Sequence, residues 1–120
     1  VYCSSAVRCQ QTLEIILPKL TGAPEITLHS PLYSENFETY LHLINENAER
    51  APGSIMIIGH NPMLEETAEA LLLHDRRGLA EALSEGFPTA GLFVADNVSV
   101  SRPATGGYGR FIDLLYPVGA

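Results

Sequence analysis

Two alternating rhythms of apolar residues run along the chain. Cys9, Leu13, Ile16 and Leu20 recur at the spacing of one helix face, with Ser5 placed to cap that helix, Pro18 to loosen its last turn and Gly22 to stop it. A second stripe, Phe37, Tyr40, Leu41, Ile44 and Ala48, predicts a helix capped by Ser34 and broken by the APGS segment at Ala51–Ser54. Shorter extended runs separate these stripes. VYCSS at the start reads as a strand entering a turn, and Glu25–Leu28 as a short second strand. Ile55–Ile58 is apolar at every position, which predicts a strand covered on both faces in the middle of a parallel sheet.

Beyond that strand, Asn61 as a cap and Pro62 as a first helical residue predict a helix through about Leu73, with Leu64, Ala68, Leu71 and Leu72 inward. The polar HDRRG segment breaks it, and a short helix follows over about Leu79–Ser84. GLFVADNVSV reads as a strand and turn, and GRFIDLLYP as a last, partly exposed strand. Ser101–Gly109 reads as flexible, and the chain has no internal repeat. The whole order predicts an α/β fold, a layered helix-sheet-helix arrangement with a mostly parallel central sheet.

Composition narrows what such a fold can do. With 120 residues, 46% of them hydrophobic, the chain is expected to form one domain over 1–120. The formal net charge of −7 argues against a nucleic-acid or membrane-surface partner, because either needs a cationic face. No apolar run approaches the roughly 20 residues of a membrane span, and no signal peptide opens the chain, so a soluble, cytoplasmic protein is expected. Cys3 and Cys9 lack metal-ligand spacing and read as packing thiols. The chain opens on Val1 without an initiator methionine, which reads as the start of a fragment.

His60 ends the most apolar strand, and ligands of open α/β sheets sit beyond such carboxyl ends. The loop after it enters a helix N-terminus, whose free amides and dipole favour an anion. Taken alone, His60 reads equally as a histidine hydrogen-bonded beneath a loop. Arg8 stands in the first turn of its helix, where a cation opposes the dipole unless an anion shares the place. Taken alone, it reads sooner as a solvated surface residue than as an anion ligand. Together, a strand–Arg–helix unit and a strand–His–helix unit aim a guanidinium and an imidazole at one sheet edge, the arrangement phosphoryl transfer requires. Glu35, Glu65 and Glu66 near helix starts suit the dipole without any catalytic role. Thr89 opens a strand where its hydroxyl can face the same edge, or serve the turn. His29, His42 and His74 carry no such context. No glycine-rich phosphate loop, HExxH or GxSxG is present, so no metal or cofactor is expected.

At these residues the chain resembles the histidine phosphatase (phosphoglycerate mutase-like) superfamily, and within it the small SixA-type phosphohistidine phosphatases. SSAVRCQQT (Ser4–Thr12) is similar to the family's S-P-A-x-R-A-x-Q-T, and IMIIGHNPMLEETAEAL (Ile55–Leu71) to its strand, G-H-N-P and helix. FPTAGLFV (Phe87–Val94) is similar to the following P-T-G-A-L strand. The resemblance implies that Arg8 binds the phosphoryl group and that His60 is the assisting histidine, with Asn61 and Thr89 completing the substrate-binding set. The family's nucleophile is a histidine in an Arg-His-Gly motif, and the 120 residues contain no such motif. The resemblance therefore implies a phosphoglycerate mutase-like fold truncated at its N-terminus, with the first strand and helix absent. Ser5 replaces the family's usual proline, Cys9 a common alanine, and TAG its TGA. Glu35 is the one candidate for the acid that larger members use.

Three readings follow. One is a phosphatase acting on protein phosphohistidine through a covalent phosphohistidine intermediate. The others are a phosphatase of small phosphoesters and a non-catalytic phosphate-binding or interaction module.

Overall fold

The computed structural model describes residues 1–47, 54–88, 91–100 and 107–115. Three two-residue strands, β1 (Tyr2–Cys3), β2 (Thr27–Leu28) and β3 (Ile57–Ile58), form a parallel sheet in the order β2-β1-β3. Helix α1 (Val7–Ile16) connects β1 to β2, while α2 (Pro31–Ser34) and α3 (Phe37–Asn47) lie between β2 and β3. After β3 come α4 (Met63–Leu71) and α5 (Arg76–Leu83). Strands β4 (Leu92–Val100) and β5 (Gly107–Leu115) then pair antiparallel as a second sheet.

Neighbouring residues of a strand face opposite sides of its sheet, and here that alternation sorts the layers. Cys3 and Ile58 pack with Cys9 and Leu13 of α1 on one side. Tyr2 and Ile57 pack on the other with Leu32 of α2, Tyr40 and Leu43 of α3, and Leu64 of α4. Leu41 of α3 meets Ala70 and Leu71 of α4, with Val98 of β4 against them. The result is the expected helix-sheet-helix layering. No described helix is long and apolar enough to cross a membrane.

Several local expectations are corrected. Among the described strands the middle one is β1, not β3, and Ile57 and Ile58 are only half-buried. The apolar run reports faces covered by helices and says nothing about edges covered by strands. Ile55 and Ile57 instead line a groove of about 200 Å³ shared with Leu92, Phe93 and Ala95. Ser5 does not cap α1: Ala6 holds the cap position, and Ser4 Oγ accepts the Ala6 N–H at 3.3 Å. Pro18 does end the regular helix, in a 3-10 turn over Leu17–Lys19.

Ser34 closes the unforeseen α2 rather than starting α3, and Asn36 Oδ1 accepts the Glu38 N–H at 3.1 Å. Helix α4 begins at Met63, although Asn61 Oδ1 still accepts the Glu65 N–H, at 3.3 Å. Arg76, Arg77 and Gly78 belong to α5, because the Asp75 carboxylate caps it through the Gly78 N–H at 3.0 Å. Gly107, Tyr108 and Gly109, expected to be flexible, form the start of β5. Ala48, Ala51–Gly53 and Ser101–Gly106 lie outside the described residues.

Candidate active site

β1 and β3 are adjacent and parallel, so the residues that follow them leave the sheet at the same end. The Ser4 N–H donates to the Ile58 carbonyl at 2.9 Å, which extends this pairing to the edge of the site. Helix α1 starts just beyond Ser4 and α4 just beyond His60, so two positive helix ends lie at that edge. The first turn of α1 contains no acidic residue. Arg8 is exposed there, and among the described residues it forms no salt bridge.

His60 is buried, and both of its ring nitrogens are occupied. Arg8 Nη2 lies 3.4 Å from Nδ1, and Ser4 Oγ lies 2.6 Å from Nε2. A guanidinium only donates, so Nδ1 carries the lone pair and Nε2 the hydrogen, which it donates to Ser4 Oγ. The Cys9 sulfur lies 3.7 Å from the same Nε2, and its thiol points to the Gly59 carbonyl at 3.7 Å. The tautomer of His60 is therefore set by a chain of donors starting at Arg8. No buried side-chain polar atom among the described residues lacks a partner.

The backbone of His60 is held as firmly. Its N–H donates to the Tyr40 hydroxyl at 3.0 Å, and that hydroxyl donates to the Leu32 carbonyl at 3.0 Å. Gly59 must be a glycine for this to fit, since a Cβ would collide with the Tyr40 hydroxyl. Tyr33, next to Leu32 on α2, sets its ring edge-to-face with the His60 imidazole, with centroids 5.3 Å apart and planes at 86°.

Electrostatics follow from burial and from Arg8. Desolvation first, then the Arg8 charge, hold the His60 imidazole below its ordinary value of 6.5. Burial pushes the Cys9 thiol up, although the Ser4 hydrogen bond and the Arg8 charge oppose it. Burial likewise raises the Tyr40 phenol. Burial and the neighbouring guanidinium thus both favour the neutral form of the imidazole.

Of the residues singled out in the sequence, the structure brings Arg8 and His60 into contact. The Asn61 side chain turns to Glu65, whose carboxylate accepts the Phe87 N–H at 2.6 Å and so ties α4 to the segment before β4. Glu35 is exposed and accepts the Thr39 hydroxyl at 3.0 Å, in a shallow surface depression with His42. Thr89 lies outside the described residues. Ser4, Cys9, Tyr33 and Tyr40 are site residues that sequence reasoning missed. Among the described residues no three His, Cys, Asp or Glu side chains converge as metal ligands.

No protein-family model matches the chain, and no curated protein matches it. Among solved structures it is similar to a protein of Agrobacterium tumefaciens provisionally named phosphohistidine phosphatase SixA, with 38% sequence identity and a TM-score of 0.74. The likeness covers 97% of this chain and 66% of that one, so the chain spans slightly less than two thirds of its relative's length. On this shared fold Arg8 and His60 meet at one edge of the parallel sheet, and the chain has the α/β fold of a SixA-type, phosphoglycerate mutase-like protein.

Proposed function

We propose that this chain carries the phosphoryl-binding half of a phosphatase acting on protein phosphohistidine. The observation that carries the reading is the Arg8 guanidinium set against His60 Nδ1 at the N-termini of two helices. An arginine that opposes the dipole of its own helix and meets no carboxylate among the described residues is placed to receive an anion. Phosphoryl oxygens would take the guanidinium fork. Their charge would favour protonation of His60 at Nδ1, and that proton would then be shared with a phosphoryl oxygen as charge develops.

The attacking group, by likeness to the family, is a histidine of an Arg-His-Gly segment, which these 120 residues do not contain. Its ring nitrogen would form a bond to phosphorus as the bond to the leaving nitrogen breaks, and the leaving imidazole would take its proton from solvent. Water would then attack the phosphohistidine intermediate, releasing phosphate and restoring the histidine. A leaving imidazole needs little help from an acid, which fits the commitment of Glu35 to Thr39. The buried free thiols fit a reducing, cytoplasmic setting.

The test is a titration of the chain with inorganic phosphate, followed through the His60 imidazole resonances. Saturable binding that raises the His60 pKa is expected, and its absence overturns the reading. The 120 residues alone are expected to show no turnover of phosphorylated histidine. Turnover by pure chain would overturn the assignment of the nucleophile to another segment.

A further inference from the structure

The His60 ring has neighbours on three sides. Arg8 stands at Nδ1, Ser4 and Cys9 close the Nε2 edge, and Tyr33 crosses the ring plane. Ser4 and Cys9 are buried, whereas Arg8 is exposed and Tyr33 is 60% exposed. A ligand arriving from solvent therefore meets a guanidinium and an aromatic ring together. That pair matches one kind of molecule, an anionic phosphoryl group attached to a flat ring.

The backbone that carries Tyr33 is anchored. Its neighbour Leu32 is fully buried, and the Leu32 carbonyl is tied through the Tyr40 hydroxyl to the His60 backbone. The Tyr33 N–H is held as well, donating to the Ser30 carbonyl at 2.9 Å. One buried hydroxyl thus ties the backbone next to the aromatic wall to the backbone that carries the imidazole.

We propose that Tyr33 is a specificity-determining residue that packs against the aromatic leaving group, the imidazole ring of a phosphohistidine side chain. This inference rests on the phosphoryl-binding role of Arg8 and His60. The leaving imidazole acquires positive charge as it is protonated, and the electron-rich face of a tyrosine attracts a flat cation as well as a flat neutral ring. A serine or threonine phosphate offers no such surface, so Tyr33 discriminates by leaving group and not by charge.

The experiment compares the affinity of the chain for methylphosphonate, phenylphosphonate and phenyl phosphate, in the wild type and in Tyr33→Ala, Tyr33→Leu and Tyr33→Phe. Phenylphosphonate has its ring directly on phosphorus, as in phosphohistidine, whereas phenyl phosphate has it one oxygen away, as in phosphotyrosine. The wild type is expected to prefer phenylphosphonate over methylphosphonate by about three- to tenfold, the worth of one aromatic contact. Tyr33→Phe should keep that preference, and Tyr33→Ala and Tyr33→Leu should lose most of it. Because the readout is a ratio within each variant, a general loss of affinity cancels.

An unchanged ratio in Tyr33→Ala overturns the inference while leaving the phosphoryl site standing. A larger Tyr33-dependent preference for phenyl phosphate overturns the phosphohistidine assignment. Failure of the wild type to bind any of the three removes the phosphoryl site itself, and the inference with it.

Discussion

The Ser4 hydroxyl sits 2.6 Å from His60 Nε2 across two neighbouring parallel strands, and it accepts the proton that fixes the imidazole with its Nδ1 lone pair toward Arg8. Ser4→Ala leaves a buried ring N–H without its acceptor, which costs about 1–3 kcal/mol. The expected result is a lower denaturant midpoint and an imidazole ¹⁵N spectrum showing mixed tautomers. An unchanged spectrum would mean that Arg8 alone sets the tautomer.

Arg8 has a separate role, readable through affinity. Arg8→Ala should weaken inorganic phosphate binding by about tenfold or more, since charge-assisted hydrogen bonds contribute about 1.5–3 kcal/mol. Arg8→Lys should recover only part of this, because an ammonium lacks the fork. Calorimetric titration of the three proteins measures both steps, and equal affinities would remove Arg8 from the site.

The depressed His60 pKa makes stability depend on pH in a definite direction. In the unfolded chain the imidazole titrates near 6.5, and in the folded chain lower. Between the two values the unfolded state binds the extra proton. The His60 contribution is therefore intact above about 6.5 and is lost as the pH falls through the window below it. Phosphate should reverse the trend, because the dianion raises the pKa of the folded imidazole. Urea midpoints measured on both sides of pH 6.5, with and without phosphate, check this, and a pH-independent phosphate effect would refute it.

Tyr40 and Gly59 form a third testable unit. Tyr40→Phe strips the His60 N–H and the Leu32 carbonyl of a shared buried partner, for a loss of about 2 kcal/mol or more. Gly59→Ala drives a methyl group into the Tyr40 hydroxyl, at a cost of about 1–3 kcal/mol. The double variant removes part of the collision, so the two losses should sum to more than the measured total. Strict additivity in chemical denaturation would show that the methyl group is accommodated elsewhere.

Much of this was legible in the residues, for a physical reason. Arg8 and His60 follow strands and begin helix units, and parallel pairing then forces such positions to one edge of the sheet. Ser4, Tyr33 and Tyr40 were not legible in that way. Tyr40 reads as one more apolar position on the α3 stripe, and only its depth shows that the hydroxyl must find partners. Ser4 differs from Ser5 by one step of the strand alternation, and which of the two faces His60 depends on the β1–β3 register. Asp75 reads as part of a polar break because a cap and a loop share the same residue types. The central position of β1 was hidden for a related cause, since two residues carry too short a pattern to reveal their neighbours.

Ser4 and His60 are 56 residues apart in the chain, and Arg8 and His60 are 52 apart. Strands as short as β1 and β3 offer little enthalpy at first contact, so closing so long a loop is entropically uphill until the helices on both faces have docked. The β4–β5 hairpin and the individual helices can form earlier, from local contacts. The Arg8–His60 contact is consequently expected among the last features to form during folding, and the phosphate binding proposed for it would report an assembled sheet and not a partly assembled one.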